Sequence, residues 1–279
     1  MSMGSNLLKK RVIPVLLLRK GALVRSRGFS FYQITGDPFL QVERFNTWNV
    51  DELIYLDISR NGQVEIDQTN SVIGATSAGK KIFKNRPTSI YEFIEILSSR
   101  CFMPLAFGGG ISSLEQARKI LLSGADKVII NSYAFKTPEL IEKMAEEFGK
   151  QCVVVSIDYK DTGIGKEVFI EGGRTATGVT VFDWIQEVVR LGAGEILINS
   201  IERDGMGCGY DTVFYKEVVE RVPVPVIICG GVGRLEHFSQ GFREVQPSAV
   251  AAANFFHFIE HSDQKIKQYL LSEGVNVRA

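Results

Sequence analysis

The chain has 279 residues, a length that suits one large α/β domain such as a barrel of about 250 residues. Its 32 basic and 32 acidic residues cancel, which argues against bulk electrostatic binding of nucleic acid or an anionic membrane. A hydrophobic content of 45% supports a full globular core, and no apolar run reaches the roughly 18 residues of a membrane span.

Four cysteines are widely spaced along the chain and form no Cys-x-x-Cys pair: Cys101, Cys152, Cys208 and Cys229. The spacing predicts neither a zinc site nor a disulfide framework, and reduced cysteines are typical of the cytoplasm. The first residues lack the apolar core of a signal peptide. We therefore expect a cytoplasmic protein that binds no metal.

Eight short apolar runs alternate along the chain with amphipathic helical patterns. The runs predict strands near residues 11–18, 52–58, 103–108, 126–131, 152–158, 194–200, 225–230 and 249–254. Their hydrophobicity is continuous, which is typical of strands buried on both faces of a parallel sheet. Eight such units favour a single (β/α)8 TIM barrel over residues 1–279, and the alternative is an open doubly wound sheet.

The two halves of the chain repeat each other. Four pairs of equivalent positions are separated by 141, 143, 122 and 123 residues, in this order: Leu17 and Asp158, Glu52 and Glu195, Gly108 and Gly230, Asn131 and Asn254. The separation falls by 21 residues after the second pair, so the first half carries an insertion between strands two and three. We therefore predict an internal half-barrel duplication, with a long inserted loop over residues 60–88 on the catalytic face.

The predicted loop contains a segment at residues 74–81, GATSAGKK, that resembles a P-loop. A P-loop requires Ser or Thr after its lysine to bind magnesium, and a strand directly before it. Here Lys81 follows the lysine and no strand directly precedes the motif, so a flexible basic loop is the favoured interpretation.

One glycine turn follows the predicted third strand and another follows the predicted seventh, and each precedes a helix. Glycine permits close backbone approach, and helix N-termini offer unpaired N–H groups to an anion. Two such turns in register predict two phosphate sites, whereas a single one would equally suit a tight turn. The expected residues are Gly109, Gly110, Asn131 and Ser132 for the first site, and Gly205, Gly230, Gly231, Ala253 and Asn254 for the second.

Asp158 ends a very apolar predicted strand, VVVSI. A carboxylate in that position is partly desolvated and can act as a general acid or base, and the alternative is a structural capping role. Asp57 and Asp204 also stand where strands end or loops begin, and are candidates to bind substrate. Arg25 follows the first strand and is a candidate to bind a phosphate or carboxylate.

Four charged residues of alternating sign stand near the starts of predicted strands one, two, four and six: Arg11, Glu52, Lys127 and Glu195. In a barrel these positions lie together at the bottom, where residues usually contribute to stability. The residues alone therefore favour a ring of salt bridges.

The chain resembles the HisF-like family, the cyclase subunit of imidazole glycerol phosphate synthase, along essentially its whole length. The resemblance is carried by GDP at 36–38, DELIYLDI at 51–58, FGGGI at 107–111, GADKVIIN at 124–131, VVVSID at 153–158, GAGEIL at 192–197, ERDG at 202–205 and GVNVR at 274–278. It implies a half-barrel-duplicated (β/α)8 fold with two phosphate sites and no cofactor. It also implies a HisH-like glutaminase docked at the barrel bottom, which supplies ammonia from glutamine. In that family the charged ring gates ammonia entry, so the resemblance favours a gate at the four bottom residues over a purely structural ring.

The resemblance also implies two catalytic aspartates, one at the end of strand one and one at the end of strand five. The second falls on Asp158, but the first falls on Leu17, which cannot exchange a proton or hold a charge. Met206 stands where the cyclase pattern has Thr. These departures make ordinary histidine-pathway cyclisation doubtful.

Residues 11–18, RVIPVLLL, and 101–105, CFMPL, resemble the WbuZ-type subgroup of this family. That resemblance implies amidation of a phosphorylated or nucleotide-sugar, forming acetamidino groups for surface polysaccharide, beside the glutaminase and a separate amidotransferase-type enzyme. This is the leading hypothesis. The alternatives are a genuine cyclase of histidine biosynthesis and a non-catalytic subunit that activates the glutaminase and conducts ammonia. A related sugar-phosphate isomerase is a weaker choice.

Overall fold

The computed structural model describes residues 8–59, 87–163, 165–257 and 261–278. Within these ranges the strands are β1 Arg11–Arg19, β2 Ala22–Arg27, β3 Phe31–Gly36, β4 Leu53–Asp57, β5 Leu105–Gly108, β6 Lys127–Ile130, β7 Val153–Thr162, β8 Gly165–Ile170, β9 Thr175–Thr180, β10 Glu195–Ser200, β11 Val226–Cys229 and β12 Ala249–Ala252. The α-helices are α1 Pro38–Thr47, α2 Ile90–Ser98, α3 Leu114–Leu122, α4 Ser132–Lys136, α5 Glu139–Phe148, α6 Val181–Arg190, α7 Thr212–Arg221, α8 Leu235–Gln240 and α9 Ser262–Ser272. Short 3-10 turns lie at Lys150–Cys152 and Asn254–His257, and a π-helical turn lies at Gly241–Val245.

Eight parallel strands close into a barrel in the order β1-β4-β5-β6-β7-β10-β11-β12, and β12 pairs again with β1. Each of the eight strand regions predicted from the sequence overlaps one of these strands, and β1 and β7 extend beyond their predicted ends. The predicted (β/α)8 TIM barrel is therefore confirmed over the open sheet. The strands are buried on both faces because helices cover the outside and side chains fill the interior.

Helix sequences show why the outer layer forms where it does. Ser113 caps α3 by accepting a hydrogen bond from the Gln116 N–H, while the Gln116 amide oxygen accepts one from the Ser112 N–H. On the same helix Ala117 and Ile120 are buried against the barrel. The cap and the apolar stripe together place the start of α3 directly after the first glycine turn.

A short antiparallel hairpin extends the barrel at the same place in each half. β2 pairs with the last residues of β1 and then with β3, while β8 pairs with the end of β7 and then with β9. The sequence patterns did not predict these hairpins. Their matching positions agree with the predicted half-barrel duplication.

The inserted loop predicted over residues 60–88 lies almost entirely outside the described residues, as does the P-loop-like segment at 74–81. The described chain resumes at residue 87, where Ser89 caps α2. Across the described ranges, no helix is both long and apolar enough to cross a bilayer.

Candidate functional site

A cavity of about 530 Å³ opens at the carboxyl ends of the barrel strands. Of the predicted site residues it is lined by Asp57, Gly109, Gly110, Asn131, Ser132, Asp158, Asp204 and Ala253, together with Leu17. The remaining predicted ligand-binding residues, apart from Arg25, lie together around the second glycine turn. Most of the predicted residues therefore lie together at the strand ends, around one site.

Asp158 lies near the end of the inward-facing part of β7 and is only 9% exposed. Its carboxylate accepts hydrogen bonds from the side-chain amides of Asn131, at 3.0 Å, and Asn199, at 3.1 Å. Burial raises the pKa of Asp158 to about 7, although the two amides act against that rise. Asn199 lies in the neighbouring strand β10, and Asn131 follows β6 directly at the N-cap position of α4. A carboxyl group that titrates near neutral pH can both take and give a proton.

Leu17 occupies the matching position in the first half of the barrel. It pairs in register with Leu56 across β1 and β4, as Asp158 pairs with Asn199 across β7 and β10. Leu17 is also 9% exposed and belongs to the apolar cluster that fills the barrel interior. The chain therefore has an acidic group on one side of the cavity and an aliphatic one on the other.

The predicted first phosphate site is built against β4 and β6. Gly109 has a φ of +117°, and a Cβ there would lie 2.2 Å from the Asp57 carbonyl oxygen, so only glycine fits. Asn131 and Ser132 precede and begin α4, and the Ser132 hydroxyl accepts a hydrogen bond from the Glu171 N–H. Burial raises the pKa of Asp57. Phosphate binding at this site stays a prediction.

The predicted second phosphate site joins three segments that are distant in sequence. Gly231 has a φ of +101° and its carbonyl accepts a 2.7 Å hydrogen bond from the Gly209 N–H. Gly205 lies against Ser26 and Asn254, and the Asn254 amide donates to the Ser26 carbonyl at 2.6 Å. The close backbone contacts explain why glycine occupies these turns.

Ser26 is a site residue that the sequence analysis missed. Its hydroxyl, on β2, donates a hydrogen bond to the carboxylate of Asp204, which lies 178 residues later. Burial raises the pKa of Asp204, while the bond from Ser26 acts against the rise. Asn199 was missed too, although its place beside Asp158 follows from strand register. No sequence pattern near Ser26 predicts its hydrogen bond to Asp204.

Arg25 does not line the cavity. Its guanidinium donates to the side-chain oxygen of Gln33 on the neighbouring strand β3. The Arg25 charge also contributes, after burial, to lowering the pKa of His257 to about 4. The hairpin thus holds Arg25 near the 3-10 turn that follows β12. Its predicted contact with an anion stays a prediction.

The four charged residues at the bottom of the barrel form a closed ring. Arg11 donates to both Glu52 and Glu195, and Lys127 bridges the same two carboxylates at 2.7 and 2.8 Å. Burial opposes ionisation of Glu195, but Arg11 and Lys127 together hold its pKa below the usual value. The predicted salt-bridge ring is confirmed, whereas its role as a gate is not tested by the geometry.

Among the described residues, no group of three or more His, Cys, Asp or Glu side chains is arranged to hold a metal ion. The polar groups at the cavity are carboxylates, amides and hydroxyls together with the cationic side chains of Arg19, Lys136 and Arg174, which suit proton transfer and binding of an anionic organic ligand.

The closed barrel, with its polar groups at the carboxyl ends of the strands, places the chain in the class of (β/α)8-barrel proteins. A family model described as Histidine biosynthesis protein matches residues 80–262. The imidazole glycerol phosphate synthase subunit HisF of Chloroherpeton thalassium is 40% identical over 272 residues, covering 98% of this chain and 100% of that protein. The protein of the same name from Natranaerobius thermophilus is 39% identical with the same coverage. The chain therefore belongs to the histidine biosynthesis protein family, in its HisF-like branch.

Proposed function

We propose that the chain is the ammonia-receiving subunit of a glutamine-dependent synthase. Three features support the proposal: the closed ring of charges at the barrel bottom, the cavity at the opposite end, and the full-length similarity to HisF subunits. Ammonia would enter from a HisH-like glutaminase through the ring formed by Arg11, Glu52, Lys127 and Glu195. The ring would act as the gate because its polar atoms satisfy one another and close the passage.

The reaction that we propose is amidation of an acetamido nucleotide-sugar, as in the WbuZ-type subgroup. The observation that carries it is the position of Leu17 opposite Asp158. A cyclisation that needs a proton-transfer group at each strand end lacks one here, whereas addition of ammonia to one carbon needs a single base. The glycine turn at Gly109, which lines the cavity, would bind the diphosphate of the nucleotide.

The proposed amidation proceeds through an activated acetamido oxygen. A nucleoside triphosphate, through the separate amidotransferase-type enzyme, first activates the acetamido oxygen as a phosphoryl or nucleotidyl ester. The ammonia nitrogen forms a bond to the acyl carbon, and the bond from that carbon to the activated oxygen breaks, so oxygen leaves with the phosphate. Asp158 accepts a proton from the nitrogen adduct and releases it to water. The product is an acetamidino group.

Reconstitution with the glutaminase, the amidotransferase-type enzyme, a nucleoside triphosphate and an acetamido nucleotide-sugar tests this proposal. With glutamine labelled by 15N at the amide, we expect the label in the sugar product by mass spectrometry. The matched reaction without this chain should give no labelled product. Equal labelling with and without the chain would reject the proposal.

A second candidate is a genuine imidazole glycerol phosphate synthase cyclase, which the 40% identity over 98% of the chain favours. Asp158 would then carry the proton transfers alone. Complementation of a histidine auxotroph that lacks the cyclase tests this candidate, and absence of growth rejects it.

A third candidate is a non-catalytic subunit that activates the glutaminase and conducts ammonia to another enzyme. The apolar residue at position 17 favours it, since a conduit needs no acid–base pair. It requires that Asp158→Asn leave the output of the reconstituted reaction unchanged, and a loss of output would reject it.

A further inference from the structure

The cavity at the mouth of the barrel has two chemically different walls. Asp158, Asn131 and Asn199 form the polar wall, joined by hydrogen bonds of 3.0 and 3.1 Å. Leu17 and Leu56 form the opposite wall with the ring of Tyr32 and the side chain of Ile58. Asp57, between Leu56 and Ile58 on the chain, also lines the cavity, and the Arg19 guanidinium lies over the Tyr32 ring. Charged groups therefore border an aliphatic surface that suits an apolar part of a ligand.

Two residues of the polar wall, and not one, have aliphatic counterparts in the apolar wall. Leu17 and Leu56 stand in the same register as Asp158 and Asn199 in the other half, so the carboxylate and its amide partner are both absent from the first half. The third residue of the polar wall, Asn131, also makes a different hydrogen bond from its counterpart in the other half. Asn131 donates to Asp158, whereas its counterpart Asn254 donates to the backbone carbonyl of Ser26. A complete polar network is thus present around Asp158, whereas the equivalent positions on β1 and β4 are aliphatic.

The residues that build the apolar wall are held in place by the hairpin. Leu17 pairs with Val24 on β2, and Val24 belongs to the same interior cluster. The Tyr32 hydroxyl donates to the Phe29 carbonyl at 2.8 Å, which fixes the ring at the edge of the cavity. A wall with fixed side chains discriminates ligands by shape, because it cannot collapse freely onto a smaller group.

We propose that the apolar wall is a specificity subsite for the methyl group of the substrate's N-acetyl substituent. The proposal rests on the proposed function. In an acetamido group the methyl is bonded directly to the carbon that ammonia attacks. An acyl carbon that lies between Asp158 and Leu17, with the attacking nitrogen on the side of the carboxylate, would direct its methyl toward Leu17 and Leu56. The wall would select the acyl group and orient the reacting carbon at once.

A series of nucleotide-sugars that differ only in the acyl group tests the subsite. The probes are the N-formyl, N-acetyl, N-propionyl and N-glycolyl forms of uridine diphosphate glucosamine, titrated calorimetrically into the complex with the glutaminase. We expect the N-acetyl form to bind about tenfold more tightly than the N-formyl form, because one methyl group in an apolar pocket is worth about that factor. The N-glycolyl form, which carries a hydroxyl on that carbon, should also bind more weakly.

Enlarging the subsite should move the preference in a predictable direction. In Leu17→Ala we expect the N-propionyl form to bind more tightly than the N-acetyl form. In Leu17→Val we expect the affinity for the N-propionyl form to rise a few fold relative to that for the N-acetyl form. Leu17→Val removes only one methylene and keeps the fold measurable if the alanine variant does not fold. Leu18→Ala is the matched control, because Leu18 is buried in the outer core and belongs to the cluster under the helices. It should leave the order of the four probes unchanged.

The outcomes separate the two proposals. If the four probes bind with equal affinity, or if Leu17→Val and Leu18→Ala change the order alike, the methyl subsite is wrong while the proposed function stands. If no acylated probe binds and none is labelled by 15N ammonia, the proposed function fails and the subsite fails with it.

Discussion

Leu17 and Asp158 occupy equivalent positions in the two halves of the barrel. Leu17 pairs in register with the apolar Leu56, and Asp158 pairs with the polar Asn199. Both are almost fully buried at the cavity. An arrangement that is symmetric in backbone is therefore asymmetric in chemistry. At these two positions the second half of the barrel can exchange protons, whereas the first half can only exclude water and contact carbon.

Substitution of Asp158 by Asn should lower the rate of the labelled amidation reaction by about 10²- to 10⁴-fold, the usual contribution of a general base. Burial raises the Asp158 pKa to about 7, and a base acts in its ionised form. The wild-type rate should therefore rise with pH through about 7. This limb of the pH profile should be absent in Asp158→Asn.

The same profile tests the role of Asn199 as a positioning residue. Its amide stabilises the ionised carboxylate, so Asn199→Ala should move the midpoint of the profile to higher pH. Asn46→Ala is a control, because the Asn46 side chain donates to the Arg100 carbonyl and accepts from the Phe102 N–H, away from the cavity. A midpoint that stays in place in Asn199→Ala would contradict the assigned geometry.

Opening the charged ring should separate two activities. Lys127→Met leaves the buried carboxylates of Glu52 and Glu195 with Arg11 as their remaining partner in the ring. We expect the glutamine-dependent rate to fall while the rate with added ammonium salt is kept, because the acceptor site is untouched. The measurement is the ratio of the two rates. Lys119→Met, which removes an exposed lysine paired with Glu115, should leave this ratio unchanged.

Substitution at the second glycine turn should damage both stability and ligand binding. In Gly231→Ala the new Cβ would lie 2.1 Å from the Gly209 carbonyl oxygen, at a φ of +101°. We expect the free energy of unfolding to fall by more than about 2 kcal/mol, together with weaker binding of uridine diphosphate. Gly36→Ala is the control, because nothing lies within 4 Å of its added Cβ and its φ is not positive. Similar behaviour of the two variants would exclude a tightly built turn.

The eight barrel strands could be predicted because a strand buried on both faces is continuously apolar, as in β7 and β11. The ring could also be predicted, since Arg11 and Lys127 begin strands and strand starts meet at one end. The hairpins could not. β3 is mostly exposed and mixed in polarity, so it carries no periodic signal. The bond from Ser26 to Asp204 joins residues that only barrel closure brings together, and the loop predicted over 60–88 lies largely outside the described residues.

Two exposed apolar side chains lie at the same end of the barrel as the charged ring. Phe102, in the turn from α2 to β5, is 85% exposed, and Leu122, at the end of α3, is 80% exposed. The Ser98 hydroxyl bonds the Ser123 carbonyl at 3.0 Å and so holds the two turns together. Buried aromatic anchors dominate protein interfaces, so Phe102→Asp should weaken binding of the glutaminase by at least about tenfold. Surface plasmon resonance measures this affinity.

Val213→Asp provides the matched control for that prediction. Val213 is 76% exposed but lies in the first turn of α7, at the opposite end of the barrel. The same charge introduced there should leave glutaminase affinity unchanged. Equal weakening by both variants would indicate a general effect on the barrel, and no weakening by Phe102→Asp would place the partner elsewhere.

A buried cluster under the C-terminal helix should make stability depend on pH. Lys267 on α9 contacts the carboxylates of Asp51 at 2.8 Å and Asp263 at 3.4 Å, and within the described part of the chain neither Asp263 oxygen has a hydrogen-bond partner. One cation faces two carboxylates, and burial raises the Asp263 pKa from its usual 3.8 to about 7. The folded state therefore binds a proton that the unfolded state releases. Stability linked to that proton is fully present below about 3.8 and is lost as pH rises through about 7.

Asp263→Asn should remove this loss, because a neutral amide needs no proton to be buried beside Lys267. We expect the variant to be more stable than the wild type at pH 8, by roughly 2–4 kcal/mol, with a much smaller difference at pH 4. Urea unfolding at the two pH values measures this. Asp51→Asn should instead destabilise at pH 8, since Asp51 accepts hydrogen bonds from both the Val12 N–H and Lys267. A pH-independent difference for Asp263→Asn would mean that its carboxyl group is ionised in the folded protein.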